Sequence, residues 1–250
     1  MSIHKTNKDI PFIRGEEIVE WDIKSANVSL MKYYHLCDDS VITRIEGMKK
    51  EEREIFVGKM MRKSKEFAIN LEKSFDQIIK LFMTSNNLSD ADIISYKKDA
   101  VFVRNKTINT SVFEDVKFIP KNIYDGCILL PKYEFYYNDS GFDVKGINDA
   151  NLPRHENGML AFLSNVIEES RSSITINKFF LEYLKDYKRR SLLYDAYREF
   201  TNESKFRVNL FGNEVLMDNI DDELLDSTSI LYNYYNIVLP TLNALRRYMI

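Results

Sequence analysis

Two aspartates, Asp22 and Asp99, have the side chains and sequence contexts best suited to chemistry. Asp22 stands at the end of a predicted strand, and Asp99 stands at the tip of a predicted hairpin. Two-metal phosphoryl transfer requires two carboxylates on adjacent strands, close enough to share divalent cations about 3.5–4 Å apart. If the two strands lie side by side, the pair predicts a site for Mg²⁺ or Mn²⁺.

The segment after Asp22 favours the same chemistry. Ser25 follows three residues later, and an amphipathic helix begins there without an ordinary loop. A tight turn from strand to helix leaves backbone N–H groups free at the helix start, and such groups suit the phosphates of a nucleotide. An acid followed by a serine is equally typical of a plain turn or a helix N-cap, so both interpretations stay open for this turn alone.

The strands that carry the two acids are predicted from alternating apolar residues. The stretch "PFIRGEEIVEWDI" predicts a short hairpin around Arg14 and Gly15, and its second strand ends at Asp22. The stretch 93–103 predicts a strand, a charged turn and a second strand, with Asp99 in the turn. The two acids can therefore converge although they are distant in the sequence.

The remaining elements are predicted by their periodicity. Apolar residues at helical spacing from about 49 to 83 predict one long helix or two in tandem. Aromatic and β-branched runs between 111 and 149 predict further antiparallel strands. Beyond Pro153 the pattern is helical to the end, and "FRVNLFGNEV" is the one expected exception.

These elements predict an α+β fold, with an antiparallel sheet and helices on one of its faces. We expect a first domain over residues 1–150, which includes a helical portion at about 49–84, and a helical second domain over residues 151–250.

Composition excludes several classes of protein. With 250 residues and 44% hydrophobic content, the chain can form a sizeable core, and it has no apolar run long enough to span a membrane. Its N-terminus does not resemble a signal peptide, so a cytoplasmic location is expected, in the host if a phage encodes the chain. Cys37 and Cys127 suggest neither a disulfide framework nor a zinc site. A net charge of −3 gives no global argument for nucleic acid, although a local basic groove stays possible.

Three segments, in this order, resemble the family B DNA polymerases, and a phage or mobile-element source is expected. "DIKSANVS", residues 22–29, is similar to motif A, D-x-x-S-L-Y-P-S, with the acid and both serines in register. "IISYKKDAVFV", residues 93–103, resembles motif C, and Asp99 falls on its second aspartate. "KYEFYYNDSGFDVKGIND", residues 132–149, resembles a later palm segment that contacts primer DNA. The resemblance implies a palm domain with reduced fingers, followed by a thumb-like domain.

The resemblance also implies roles for particular residues. Asp22 and Asp99 would ligate two Mg²⁺ or Mn²⁺ ions, and the carbonyl of Ile23 would add a ligand. A primer 3′-OH would then attack the α-phosphate of a nucleoside triphosphate on template DNA. Residues expected to bind the nucleotide are Ser25, Asn27, Lys59 and Lys63. Residues expected to contact nucleic acid are Lys97, Lys98, Lys132, Lys145, Lys188, Arg189 and Arg190.

The sequence departs from the family at several positions. Lys97 replaces the first aspartate of motif C, and Asn27 replaces the tyrosine that excludes a ribose 2′-OH. No fingers motif is recognisable, and no exonuclease region precedes motif A, so a partner protein is expected to supply such functions.

These departures leave two alternatives to a polymerase. One is a catalytically degenerate palm that serves as a nucleic-acid-binding or assembly subunit of a replication or transcription complex. The other is a two-metal nuclease that uses the same two acids.

Overall fold

The structure is a computed structural model that describes residues 5–110, 116–201, 206–210, 213–217 and 232–248. It confirms the predicted α+β class. The strands are β1 (Lys5–Thr6), β2 (Phe12–Ile23), β3 (Ile93–Lys97), β4 (Ala100–Arg104), β5 (Phe118–Leu129), β6 (Glu134–Asn138), β7 (Gly141–Lys145), β8 (Phe206–Leu210) and β9 (Asn213–Met217). The helices are α1 (Ala26–Tyr33), α2 (Asp39–Glu46), α3 (Lys50–Lys63), α4 (Lys65–Ser85), α5 (Ala161–Glu169), α6 (Ser173–Arg189) and α7 (Leu239–Tyr248). A π-helical turn at Glu156–Leu160 precedes α5.

Seven strands form one sheet in the order β1-β3-β4-β2-β5-β6-β7. Strand β4 lies between β3 and β2 and is antiparallel to both, so the predicted hairpin at 93–103 is confirmed and its second strand pairs with β2. Strands β5, β6 and β7 continue as antiparallel neighbours, which confirms the strands predicted between 111 and 149 for the residues that the structure describes.

The chain divides into two compact units. Unit 1 contains residues 1–10 and 16–124, and unit 2 contains residues 11–15 and 125–250. The palm-like domain expected at 1–150 and the helical, thumb-like domain expected at 151–250 stay a prediction.

The core of unit 1 lies between helices α1 to α4 and one face of the sheet. Buried residues of α4, such as Phe75 and Phe82, pack with Val101 of β4 and Phe118 of β5. The Phe82 and Phe118 ring centroids are 4.3 Å apart. Trp21 packs against the same cluster, with its ring 6.4 Å from Phe82. Because successive side chains of a strand point to opposite faces, Asp22 does not point into this core.

Unit 2 has its own aromatic core. Tyr133, Phe135 and Phe200 pack together, with ring-centroid distances of 4.9 Å and 5.6 Å from Phe200 to the other two. The fully buried Asn233 holds the segment around Phe200 by accepting a hydrogen bond from the Phe200 amide and donating to the carbonyl of Ala196. Buried polar groups of this kind stabilise a fold only when they form hydrogen bonds. Both the oxygen and the nitrogen of the Asn233 side-chain amide do so.

Two predictions of local structure had different outcomes. The hairpin predicted at Arg14 and Gly15 is wrong, because β2 runs continuously through both residues while Gly15 adopts φ +67°. The helical stretch predicted from about 49 to 83 is confirmed as two helices in tandem. Ser64 separates them in an extended conformation, and its side chain accepts a hydrogen bond from the Phe67 amide as the N-cap of α4.

The pattern beyond Pro153 is confirmed where the structure describes it. Helices α5, α6 and α7 occupy this region, and the expected exception forms the antiparallel pair β8 and β9. The part of the predicted helical tail at 218–231 lies outside the described residues.

Candidate active site

The ends of β2 and β4 bring the segments of Asp22 and Asp99 together. Asp22 is the register partner of Ala100, the residue that follows Asp99. The amide of Ile23 donates a hydrogen bond of 2.9 Å to the carbonyl oxygen of Asp99. The strand pairing that the proposed chemistry requires is therefore present. The Ile23 side chain points into the core of unit 1, where it is 2% exposed, and this fixes the strand end.

The turn between β2 and α1 is short and strained. Ser25 adopts the left-handed conformation, φ 50° and ψ 45°, and its side chain makes no N-cap hydrogen bond. Its carbonyl instead accepts bonds from the amides of Val28 and Ser29, which starts α1, and the Ser29 hydroxyl bonds the Lys24 carbonyl. A left-handed conformation is unfavourable for residues other than glycine, and such strain clusters at functional sites. Ser25 therefore does not cap α1 through its hydroxyl group.

A cavity of about 360 Å³ lies where these segments meet. It is lined by Asp22, Ile23, Lys24, Ser25, Ala26, Asn27, Val28, Lys50, Arg53, Glu54, Val57, Phe75, Lys98, Asp99 and Ile119. All of these residues belong to unit 1. The lining combines three acidic and four basic side chains with the start of a helix, a composition that suits an anionic ligand bound next to a cation.

The cavity contains six of the residues predicted from the sequence: Asp22, Ile23, Ser25, Asn27, Lys98 and Asp99. Lys59 and Lys63 lie further along α3 and are not part of its lining. Lys97 is also outside the lining, and its ammonium lies 5.8 Å from the ring centroid of Phe102. The cation at this degenerate motif position is thus directed toward an aromatic ring.

The other predicted nucleic-acid contacts belong to unit 2. Lys132 is exposed, with its ammonium 5.1 Å from the Tyr232 ring. Lys145 forms an ion pair of 2.7 Å with Asp143, so part of its charge is already neutralised. Lys188 and Arg189 are exposed in the last turn of α6, and Arg190 ends that helix in a left-handed conformation.

Helix α3 contributes to the cavity, although this was not predicted from the sequence. Lys50, Arg53 and Glu54 line it from the first turns of this helix, together with the buried Val57. These positions are spaced as i, i+3, i+4 and i+7, which places them on one helical face. The signal was available, because Val57 marks the buried face and the three charged residues share it.

Asp22 lies in a field of mixed charge. Burial raises the pKa of the Asp22 carboxyl above its ordinary value, the Lys121 ammonium opposes this, and the neighbouring Asp99 and Glu20 carboxylates raise it further. An acid that is partly desolvated beside other carboxylates favours a bound cation.

Lys121, in β5, is a further residue that was not predicted from the sequence. It lies 3.6 Å from Glu20, whose side chain is 3% exposed. The other carboxylate oxygen of Glu20 accepts hydrogen bonds from Asn122 at 2.6 Å and from the Tyr124 hydroxyl at 3.0 Å. These contacts link the side chains of β2 and β5 two residues before Asp22 in the sequence.

A family model described as Bacteriophage PBS1 gene 130 protein matches residues 2–247. The chain belongs to this family. Membership supports the expected phage origin, whereas the resemblance to family B polymerases stays a prediction. No curated protein shows significant similarity to the chain.

No helix within the described part of the chain is both long and apolar enough to cross a membrane.

The oxygen donors of the site are of the right kind for a hard divalent cation, but they are few. Asp22, Asp99 and the Ile23 carbonyl are the kinds of ligand that Mg²⁺ prefers. Within the described ranges, however, no group of three or more His, Cys, Asp or Glu side chains could hold a metal ion. Mg²⁺ in phosphoryl-transfer sites is commonly bound by one or two carboxylates plus substrate phosphates, so the two aspartates suffice only when a nucleotide is bound.

Proposed function

We propose that the chain is a nucleotidyltransferase that extends the 3′ end of a nucleic acid in a template-directed, DNA-polymerase-like reaction in the host cytoplasm. The observation that carries the proposal is the convergence of Asp22 and Asp99 at one cavity whose lining also contains Lys24, Lys50, Arg53 and Lys98. In this proposal unit 1 contains the catalytic part of a palm domain, and α3 takes the place of the reduced fingers.

Different side chains have different roles in the proposed reaction. Asp22 and Asp99, with the Ile23 carbonyl, would hold Mg²⁺ or Mn²⁺, which supplies charge stabilisation for phosphoryl transfer. Lys50 and Arg53 would bind the β- and γ-phosphate oxygens, because both line the same cavity as the two acids. The attacking 3′ oxygen forms a bond to the α-phosphorus, the bond to the bridging oxygen breaks, and pyrophosphate leaves toward these cations.

The turn at Ser25 positions the nucleotide in this scheme. The amides of Ala26 and Asn27 lie at the start of α1, where backbone N–H groups lack acceptors within the helix. Asn27 also lines the cavity, and in this proposal its side chain would contact the sugar. Lys98, whose ammonium lies 4.7 Å from the Phe75 ring, contributes a further charge at the rim.

Primer extension tests this function directly. Purified protein is incubated with a labelled primer-template, deoxynucleoside triphosphates and Mg²⁺ or Mn²⁺. We expect extension by the wild-type chain, and we expect Asp22→Asn and Asp99→Asn each to abolish it. Asp139→Asn, in an exposed turn of unit 2, is the matched control and should extend normally. Equal extension by all four proteins would disprove the assignment.

Two specific observations favour other functions. Lys97 at the place of a motif C aspartate favours a degenerate subunit that binds nucleic acid without catalysis, and such a protein would retard the primer-template without extending it. Glu54 also lines the cavity, and a carboxylate there that activates water without holding a metal ion favours a nuclease. In that case the labelled strand would be degraded in the presence of Mg²⁺, and Glu54→Gln would prevent the degradation.

A further inference from the structure

Helix α6 has an exposed face that is both apolar and basic. Ile174, in the first turn, is 79% exposed, and Leu181, in the middle of the helix, is 71% exposed. Lys178, Lys185 and Lys188 are exposed as well. The five positions are spaced as i, i+4, i+7, i+11 and i+14, so they share one face of the helix. We call these five residues the α6 outer face.

The opposite side of α6 explains why this face is directed outward. Ile176, Phe180 and Tyr187 are buried in the core of unit 2 and fix the rotation of the helix. Ile174 and Leu181 then lie two turns apart, about 10 Å along the helix axis. None of the three lysines of the outer face forms an ion pair with a described residue. Lys178 lies between the two aliphatic side chains, so this face alternates apolar and basic groups.

Unit 2 also contains a cavity of opposite character. It measures about 570 Å³, and Phe142, Leu152 and Leu160 contribute apolar surface to its lining. Asp149 and Glu156 contribute two exposed carboxylates, and the lining contains no Lys, Arg or His. Within the described residues neither carboxylate has an ion-pair partner. We call this the acidic cavity. It combines apolar surface with uncompensated negative charge, as the α6 outer face combines apolar surface with uncompensated positive charge.

We propose that the acidic cavity of one copy of this chain binds the α6 outer face of a second copy. Leu181 would enter the apolar part of the cavity, and Lys178 and Lys185 on either side of it would pair with Asp149 and Glu156. Each copy carries both surfaces, and in the proposed assembly two reciprocal contacts close a two-fold dimer. Nucleic acid is a weaker candidate for this face, because phosphates would pair with the lysines and leave Ile174 and Leu181 exposed to water. The proposal does not rest on the nucleotidyltransferase function.

Sedimentation velocity of the full chain over a range of concentrations tests the proposal. We expect a monomer–dimer equilibrium for the wild type. Leu181→Glu, Lys185→Glu and Glu156→Lys should each weaken dimerisation at least tenfold. The double variant Lys185→Glu/Glu156→Lys should restore most of it, because the charges are exchanged within the same contact. Ile69→Glu and Lys73→Glu, at exposed positions of α4, are the matched controls and should dimerise as the wild type does.

The remaining outcomes overturn the proposal. A wild-type chain that stays monomeric up to high micromolar concentration excludes the contact. Dimerisation that is lost in the single variants but not restored by the charge exchange excludes the pairing of α6 with the cavity. If Lys185→Glu leaves the mass unchanged and weakens binding to a fluorescent oligonucleotide, the α6 outer face is a nucleic-acid contact instead. Circular dichroism of each variant separates these results from a failure to fold.

Discussion

The Ile23 amide and the Asp99 carbonyl oxygen are joined by a hydrogen bond of 2.9 Å. This bond closes the ladder between β2 and β4 at the end where each strand carries an acid. It fixes the backbone on both sides of the cavity, so the two carboxylates share one environment and the Asp99 charge raises the pKa of Asp22.

Asp22 should reduce the stability of the protein at neutral pH. Its pKa is raised in the folded state, mainly by burial, so folding disfavours the ionised carboxyl. This loss of stability is absent below the ordinary pKa of an aspartate. It develops as the pH rises from that value through the folded-state pKa of Asp22, and it is complete above the folded-state pKa. We therefore expect Asp22→Asn to melt at a higher temperature than the wild type at pH 7, and the difference to shrink toward zero in acid. Thermal unfolding at a series of pH values measures this.

Mg²⁺ should reverse that difference. A ligand that binds only the folded state stabilises it in proportion to its concentration over its dissociation constant. Addition of Mg²⁺ with a non-hydrolysable nucleoside triphosphate should raise the melting temperature of the wild type and not that of Asp22→Asn. The same shift in both proteins would show that the cation binds elsewhere.

Lys50 and Arg53 should determine nucleotide affinity. Both line the cavity, whereas Lys59 and Lys63 lie further along the same helix. Loss of one charge-assisted hydrogen bond to a phosphate costs about 1.5–3 kcal/mol, so Lys50→Ala or Arg53→Ala should weaken binding of a non-hydrolysable triphosphate about tenfold or more. Calorimetric titration measures the change. Lys59→Ala and Lys63→Ala serve as the comparison, and a larger loss in these two would favour the prediction made from the sequence.

Asn27 should permit the use of ribonucleotides. It stands where the family B polymerases, which the sequence resembles, have a tyrosine that excludes a 2′-OH. Asn27 also lines the cavity. If the chain extends primers, we expect ribonucleotide incorporation by the wild type and discrimination at least tenfold stricter in Asn27→Tyr. The ratio of kcat/KM for the two sugars measures this. Asn27→Ala, which keeps the space open, should discriminate no more than the wild type. Strict discrimination by the wild type would contradict the prediction.

Gly126 should be intolerant of a side chain. A Cβ atom there would collide with the carbonyl oxygen of Ile13 and the hydroxyl of Tyr137. These two groups are joined by a hydrogen bond of 3.1 Å, so neither can move away without breaking it. We expect Gly126→Ala to lower the free energy of unfolding by about 1–3 kcal/mol. Gly58→Ala, in α3 with open space around it, should instead raise it by roughly 0.5–1 kcal/mol. Urea denaturation of both variants measures the two changes in the free energy of unfolding.

The sequence was sufficient wherever a short-range pattern determines the structure. Alternation around Asp99 predicted the β3–β4 hairpin, and apolar spacing predicted α3 and α4, because these patterns depend on residues a few positions apart. It failed at Gly15, where Arg-Gly between alternating residues is typical of a hairpin turn but lies within the continuous strand β2. The same local sequence is compatible with a hairpin and with a continuous strand. Which of the two forms depends on the strands that pair with the residues before and after Gly15.

The sequence by itself determined the α+β class, the candidate acids Asp22 and Asp99, and the tight turn at Ser25. Only the tertiary structure decided that these two segments are neighbours, that Lys50, Arg53 and Glu54 share their cavity, and that Lys59, Lys63 and Lys97 do not line it. The physical reason is that pairing between β2 and β4 and the rotation of α3 are set by burial of residues such as Ile23 and Val57 against distant parts of the chain. A periodic pattern gives the face on which a residue lies, but not what that face contacts.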